Sequence, residues 1–309
     1  MTLWLGDCSA VRNQSPKARM RLYVLWGQSH MYGTKSFVDG FPEAQWNRFG
    51  PPIPGAYIWD KLGRPNRSNV DLSDALRGNE PHAWKPLGAG FGTGGPDYPW
   101  EDPTTNPSFG PEMQMAHALR AQTGESVALV KFAVGGSQLA NLADVPNWNV
   151  NRLGAGNASL LQILLEAYLA PALEQAKVLC EEQGLELSLG GVVSMIGTSD
   201  ARRPADAQAY GANLLDCIDH VRQVLNPPHP ELVPWLVLQT PRYVGPDGEK
   251  LAFLATVRSA QAQAASARPA VEVRDTVDFR LTGTHFEPRG TAGLGQTMFR
   301  WAMRQVPLA

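Results

Sequence analysis

The sequence predicts a doubly wound α/β sandwich, a parallel sheet with helices on both faces. Three observations predict it. Five short runs rich in β-branched or aromatic residues are apolar on both faces, as strands buried in a parallel sheet are. Stretches with helical periodicity stand between and after them. Strand and helix alternate five times, and in such a sheet ligands bind outside the carboxyl ends of the strands.

The elements follow in order. The first strand is "RLYVLWG" near residue 21, and the first helix is "GPEMQMAHALRAQTG" from Gly110. "SVALVKFAV" near 126 is the second strand. The helix from Ser159, "SLLQILLEAYLAPALEQAKVLCEEQG", contains Pro171, which lacks an N–H and crowds the preceding turn, so a kink or split is expected there. "LSLGGVVSMIG" near 187, "LVPWLVLQT" near 232 and "AVEVRDTV" near 270 are the remaining strands. Helices begin at Ala205, Lys250 and Thr291.

One segment breaks this rhythm. From Thr34 to about Phe109 the chain is crowded with Pro, Gly, Asn and Asp and shows little periodicity, yet it holds four of the nine tryptophans, Trp46, Trp59, Trp84 and Trp100. Long connections inside a compact domain are functional or disordered, and the aromatic content favours order. The segment is read as an insertion of about 34–109, elaborated over the strand ends and forming part of the site, with a small hairpin around "AYIWD". The whole chain, 1–309, is expected to form one domain.

Composition narrows the function classes. With 43% hydrophobic and 18% charged residues the chain can bury a sizeable core, and a net charge of -2 offers no basic field for nucleic acid or anionic membranes. Cys8, Cys180 and Cys217 are an odd number at unrelated spacings, suggesting neither a disulfide framework nor a zinc site. Gly6, Asp7 and Arg12 interrupt any signal-like apolar run, and no later run approaches the ~20 apolar residues of a membrane span. A cytoplasmic or otherwise soluble protein with small partners is expected.

Most motifs can be set aside. Gly90, Gly92 and Gly95 satisfy GxGxxG, but no strand leads in and "PDYPW" follows where a helix should start. HExxH, a Walker lysine loop and GxSxG are absent. What remains is "GQSHM" at the end of the first strand. Its Ser29 reads two ways, as a turn or helix N-cap serine, or as a nucleophile held on a tight turn with its own N–H free to bind an oxyanion.

Four further blocks bear on that choice. "GQSHMYG" resembles the GQSNMxG block of the SGNH-type carbohydrate esterases, the family grouping sialate O-acetylesterase-like and acetylxylan esterases. "FGPEMQMAHALR", "VALVKFAVGGSQLANL", "GGVVSMIGTSDA" and "LTGTHFEPRGTAGLG" resemble that family's next blocks, in family order, across residues 22 to 295. The resemblance implies a flavodoxin-like three-layer sandwich with a five-stranded parallel sheet. It also implies a serine acetylesterase acting on a carbohydrate or related small ester, with no metal or organic cofactor. Ser29 falls at the nucleophile position, His285 at the general base, and the Ser29 and Gly136 N–H groups at the oxyanion hole, with Gly135 beside them. An imidazole takes the hydroxyl proton and later protonates the leaving alkoxide.

The sequence also departs from the family. Ile196 stands where a glutamine amide would hold the oxyanion, Thr198 replaces a glutamate, and Thr282 replaces the acid three residues before the histidine. A missing triad acid costs about 10⁴ in rate in a serine protease, and one oxyanion donor about 10² to 10³. Asp278, Asp275 or the Thr282 hydroxyl could support His285, and His30, where the family has asparagine, could replace the lost oxyanion donor or contact substrate. Asp200 of "TSDA" is read as a support for its loop. Two alternatives to hydrolysis stay open: carbohydrate binding without catalysis, and acyl transfer using the same serine.

Overall fold

The computed structural model describes residues 18–34, 36–37, 40, 52–61, 82–91, 108–142, 147–154, 159–225, 232–242 and 251–305. In chain order the elements are β1 (Arg19–Gly27), α1 (Ser29–Tyr32), β2 (Ala56–Lys61), β3 (His82–Pro86), α2 (Glu112–Thr123), β4 (Ser126–Ala133), α3 (Leu160–Gln162), α4 (Ala170–Gln183) and β5 (Glu186–Met195). They continue as α5 (Pro204–Leu225), β6 (Trp235–Leu238), α6 (Leu254–Ala267), β7 (Val271–Arg274), β8 (Leu281–Thr282), β9 (His285–Phe286) and α7 (Pro288–Arg304).

The main sheet has the order β3-β2-β4-β1-β5-β6-β7, parallel throughout except for the antiparallel pair β2 and β3. The five strands expected from the sequence are thus β1, β4, β5, β6 and β7, in flavodoxin-like order. The expected strand count of five becomes seven among the described residues, because the insertion adds β2 alongside β4 and β3 outside it. The stretch "AYIWD" pairs as expected, but its partner lies beyond Lys61 by some twenty residues of chain instead of a tight turn. β2 earns its place by alternation: Ala56 and Ile58 join the core on one face of the sheet and Trp59 joins the core on the other.

The same alternation in β1 builds both layers. Met20, Leu22, Val24 and Trp26 face the core shared with α4, α5 and α6, while Tyr23 and Leu25 face the core shared with α2 and α7. Trp26 meets Trp148 at 4.9 Å and Trp235 at 6.1 Å between ring centroids, filling the first core with aromatic volume. In α7 the buried residues Gly290, Thr291, Leu294, Met298, Trp301 and Ala302 recur at three- and four-residue spacing, one stripe laid against α2.

The backbone stays helical through Pro171, so the split expected there does not occur. The proline lies in the first turn of α4, directly after a π-helical stretch, Ile163–Leu169, that joins α3 to α4. The wider turn accommodates the hydrogen bond that proline cannot donate.

The connection from β1 runs over one face through α2, whereas those from β4, β5 and β6 run over the other. β1 and β5 therefore flank the switch point of the sheet. At their carboxyl ends the loops from the two directions diverge, the position at which open α/β sheets bind ligands.

Candidate active site

Ser29 sits at that switch point because of two glycines. Gly27 ends β1 with φ +149°, and a Cβ there would stand 2.2 Å from the Met195 carbonyl oxygen of β5, so no other residue fits. Gln28 N donates to Met195 O at 3.1 Å, and the chain turns at once into α1, whose first residue is Ser29. Gly33, at φ +92°, closes the turn by donating its N–H to Ser29 O at 3.1 Å. A side chain there would meet Phe109 O at 2.1 Å. Ser29 is half-buried, and its N–H, being the first of the helix, has no acceptor within it.

The loops after β5 and β4 are laced to this elbow. The Gln28 side-chain oxygen accepts the N–H groups of Gly197 and Thr198 at 3.0 and 3.2 Å. Gly135 and Gly136 are exposed at the end of β4, and a Cβ on Gly135 would stand 3.9 Å from Ser29 Cβ. Gly136 O accepts from Ser199 Oγ at 2.8 Å, and Asp200 Oδ1 accepts the N–H groups of Leu139 and Ala140 at 2.9 and 3.0 Å. Asp200 is fully buried, and burial pushes its carboxyl up to about 7 against the pull of those backbone donors. It supports its loop as the sequence suggests.

His285 arrives from the far end of the chain on the β8–β9 hairpin, where it pairs with Thr282 through the backbone; the Thr282 side chain lies outside the described residues. Its Nδ1 lies 2.8 Å from Thr284 Oγ1. When Nδ1 carries the proton and donates it to that hydroxyl, Nε2 presents a lone pair. The hairpin strand β9 packs on α1, so the elements bearing Ser29 and His285 are neighbours despite the length of chain between them.

His30 is the residue of α1 that meets the hairpin. Its ring centroid is 5.5 Å from that of His285 and 4.9 Å from that of Phe286, and it is 4% exposed. Its Nδ1 has no hydrogen-bond partner among the described residues. Burial, and secondarily His285, lower its pKa to about 3, so it is neutral. Its surroundings are the hairpin's rings.

The other expected supports are placed as follows. Asp278 is exposed on the rim of a cleft of about 430 Å³ with Arg280, Glu287 and Arg289. Asp275 is engaged with Arg258 of α6 at 2.7 Å. Ile196 is buried in the core with a wholly apolar side chain, and its carbonyl accepts from Tyr210 Oη at 2.9 Å and Gln261 Nε2 at 2.8 Å. Thr198 Oγ1 is buried without a partner among the described residues.

Sequence reasoning passed over three contributors. Thr284 is the hydroxyl at His285, Gln28 is the link between elbow and β5 loop, and Lys131 with Glu112 forms a buried ion pair at 2.8 Å behind α1. Lys131 also donates to Tyr32 O at 3.3 Å and Phe91 O at 2.6 Å, which ties the end of α1 to the insertion. The visible signal was a lysine in the middle of the apolar run "VALVKFAV". Such a charge needs a partner that periodicity cannot name.

The family model described as carbohydrate esterase, sialic acid-specific acetylesterase, matches residues 19–304. Among solved structures, NanS superposes with a TM-score of 0.61 at 12% identity, over 94% of this chain and 98% of its own. A protein from Arabidopsis thaliana gives 0.57 at 18% identity, over 93% and 98%. A carbohydrate acetylesterase from Xanthomonas citri gives 0.57 at 17% identity over 92% of this chain, which spans 56% of that longer protein. At these identities the likeness shows the fold. No curated protein sequence matches.

Proposed function

The chain belongs to the carbohydrate esterase family of sialic acid-specific acetylesterases, carboxylic ester hydrolases with the SGNH-type fold, and from that premise we propose that it removes a small acyl group, acetyl foremost, from a carbohydrate ester through Ser29 and His285. The observation that carries this reading is the meeting of α1 and β9 at the switch point of the sheet. One presents a serine on a glycine-bounded elbow, the other an imidazole whose Nδ1 is met by Thr284.

In this mechanism His285 Nε2 takes the Ser29 proton as Oγ attacks the ester carbonyl. The oxyanion is met by the N–H groups of Ser29 and Gly136. Collapse expels the sugar alkoxide, which takes the proton from His285. Water then repeats the sequence on the acyl-enzyme and releases the acid. Thr284 Oγ1, 2.8 Å from His285 Nδ1, holds the tautomer that leaves the Nε2 lone pair free for this proton transfer. The chain is read as acting as one domain, with the insertion contributing Gly40, which lines the same cleft as Pro288 beside the hairpin.

Release of acetate from acetylated sialic acid and acetylated xylan, with an aryl acetate as a general probe, tests the reading. Ser29→Ala is expected to abolish turnover, and wild-type activity no higher than that of the variant refutes it. The burial of Ile196, which leaves no side-chain amide at that position, favours a second reading of carbohydrate binding without hydrolysis. Oligosaccharide binding with no fluorophosphonate labelling of Ser29 would select it.

A further inference from the structure

Resting on the reading of Gly136 N–H as an oxyanion donor, we propose that Asp200 is a positioning residue that holds this donor in register with Ser29 and so sets kcat. Asp200 opens the short 3-10 turn Asp200–Arg202 after β5, and Ser199 precedes it. These two adjacent side chains grip the loop after β4 at two points. Ser199 Oγ donates to Gly136 O at 2.8 Å, and Asp200 Oδ1 accepts the Leu139 and Ala140 N–H groups at 2.9 and 3.0 Å. Between the grips, Ser137 Oγ donates to Val134 O at 2.6 Å and accepts from Trp148 Nε1 at 2.8 Å. The same β5 loop is tied through Gly197 N and Thr198 N to Gln28, the neighbour of Ser29. Elbow, β5 loop and β4 loop are thereby one hydrogen-bonded unit.

Within that unit the choice of an acid is expensive. Asp200 is 0% exposed, and its Oδ2 has no hydrogen-bond partner among the described residues. The titratable groups coupled to it, Asp206, Tyr210 and Cys217, bring no positive charge. A buried carboxyl with one oxygen unpaired costs stability, and it is retained where it grips the loop beside the nucleophile. Gly135 lies so close that a Cβ on it would stand 3.9 Å from Ser29 Cβ, so displacement of this loop moves the oxyanion donors relative to Oγ.

The test is turnover of an aryl acetate by Asp200→Ala, Asp200→Asn and Ser199→Ala, with Ser29 labelled by a fluorophosphonate in each. For Asp200→Ala, kcat is expected to fall about 10- to 100-fold with KM within about two-fold of wild type. Asp200→Asn keeps the Oδ1 acceptor and is expected to recover kcat to within about three-fold. Wild-type kcat in Asp200→Ala, or Asp200→Asn no better than Asp200→Ala, overturns the proposal. If Asp200→Ala does not fold, Ser199→Ala loosens the same loop at Gly136 and leaves the carboxyl in place. Its kcat is expected to fall about ten-fold, and an unchanged kcat overturns the proposal. Wild-type protein that is not labelled at Ser29 overturns the underlying esterase reading and the proposal together, whereas labelled wild type with unimpaired variants overturns the proposal alone.

Discussion

Replacing Asp200 by asparagine should stabilise the protein at neutral and alkaline pH and leave it unchanged in acid. Burial raises the folded-state pKa of Asp200 from 3.8 to about 7. The folded chain therefore holds a proton at this site that the unfolded chain has already released between those values. Stability is greatest below the unfolded value and is lost as pH rises toward the folded one. At 1.36 kcal/mol per pH unit the loss reaches about 4 kcal/mol by pH 7 and does not grow further. An asparagine offers the same Oδ1 acceptor to Leu139 and Ala140 and never ionises. Its NH₂ occupies the place of Oδ2, which lacks a partner in any case, so the variant should match the protonated acid. Thermal melts of both proteins from pH 4 to 8 measure the difference. At roughly 2 °C per kcal/mol for a chain of this size, the variant should melt within about 2 °C of wild type at pH 4 and about 8 °C above it at pH 8. A difference that does not change with pH would refute the assignment of the buried charge to Asp200.

Three further outcomes are expected. His30, lowered to about 3 by burial and by His285, binds its proton in the unfolded chain first, so its contribution is present above pH 6.5 and lost as pH falls. His30→Asn should remove about 3 kcal/mol of the acid destabilisation seen between pH 7 and 4.5, and urea titrations with parallel pH dependence would contradict this. Thr284→Val removes the hydroxyl 2.8 Å from His285 Nδ1 without changing its volume, and should lower kcat up to about ten-fold at unchanged melting temperature. Glu112→Gln strands the Lys131 charge, whose partner is 0% exposed, and should cost about 3–5 kcal/mol in urea denaturation. The double variant Glu112→Gln with Lys131→Met should recover most of that loss.

Much of the fold was legible because the signals are local. The five core strands and their helices lie where apolar periodicity places them. Within the insertion, "AYIWD" was legible as one arm of a strand pair but not as a strand of the main sheet. β2 and β3 gain their stability from pairing with β4 and with each other, and neither partner is visible in a window of local sequence. The candidate site divides the same way. "GQSHMYG" and "GTHF" single out Ser29 and His285 by type and by resemblance, while Thr284, Gln28 and the Lys131–Glu112 pair act only through contacts that neighbours in sequence do not reveal.

By itself, then, the sequence determined the layers and the order of the elements, since each depends on residue type and short-range period, while family resemblance singled out Ser29 and His285 as candidates. Only the tertiary structure decided which groups meet. Parallel strands bring their carboxyl ends to one edge whatever the spacing between them, so Ser29, Gly136, Asp200 and His285 converge there from four separate stretches of chain. The same packing sets their charges. His30 and Asp200 are ordinary titrating residues in an unfolded chain, and they are shifted in the folded one because the core around them excludes the water that would solvate their ions.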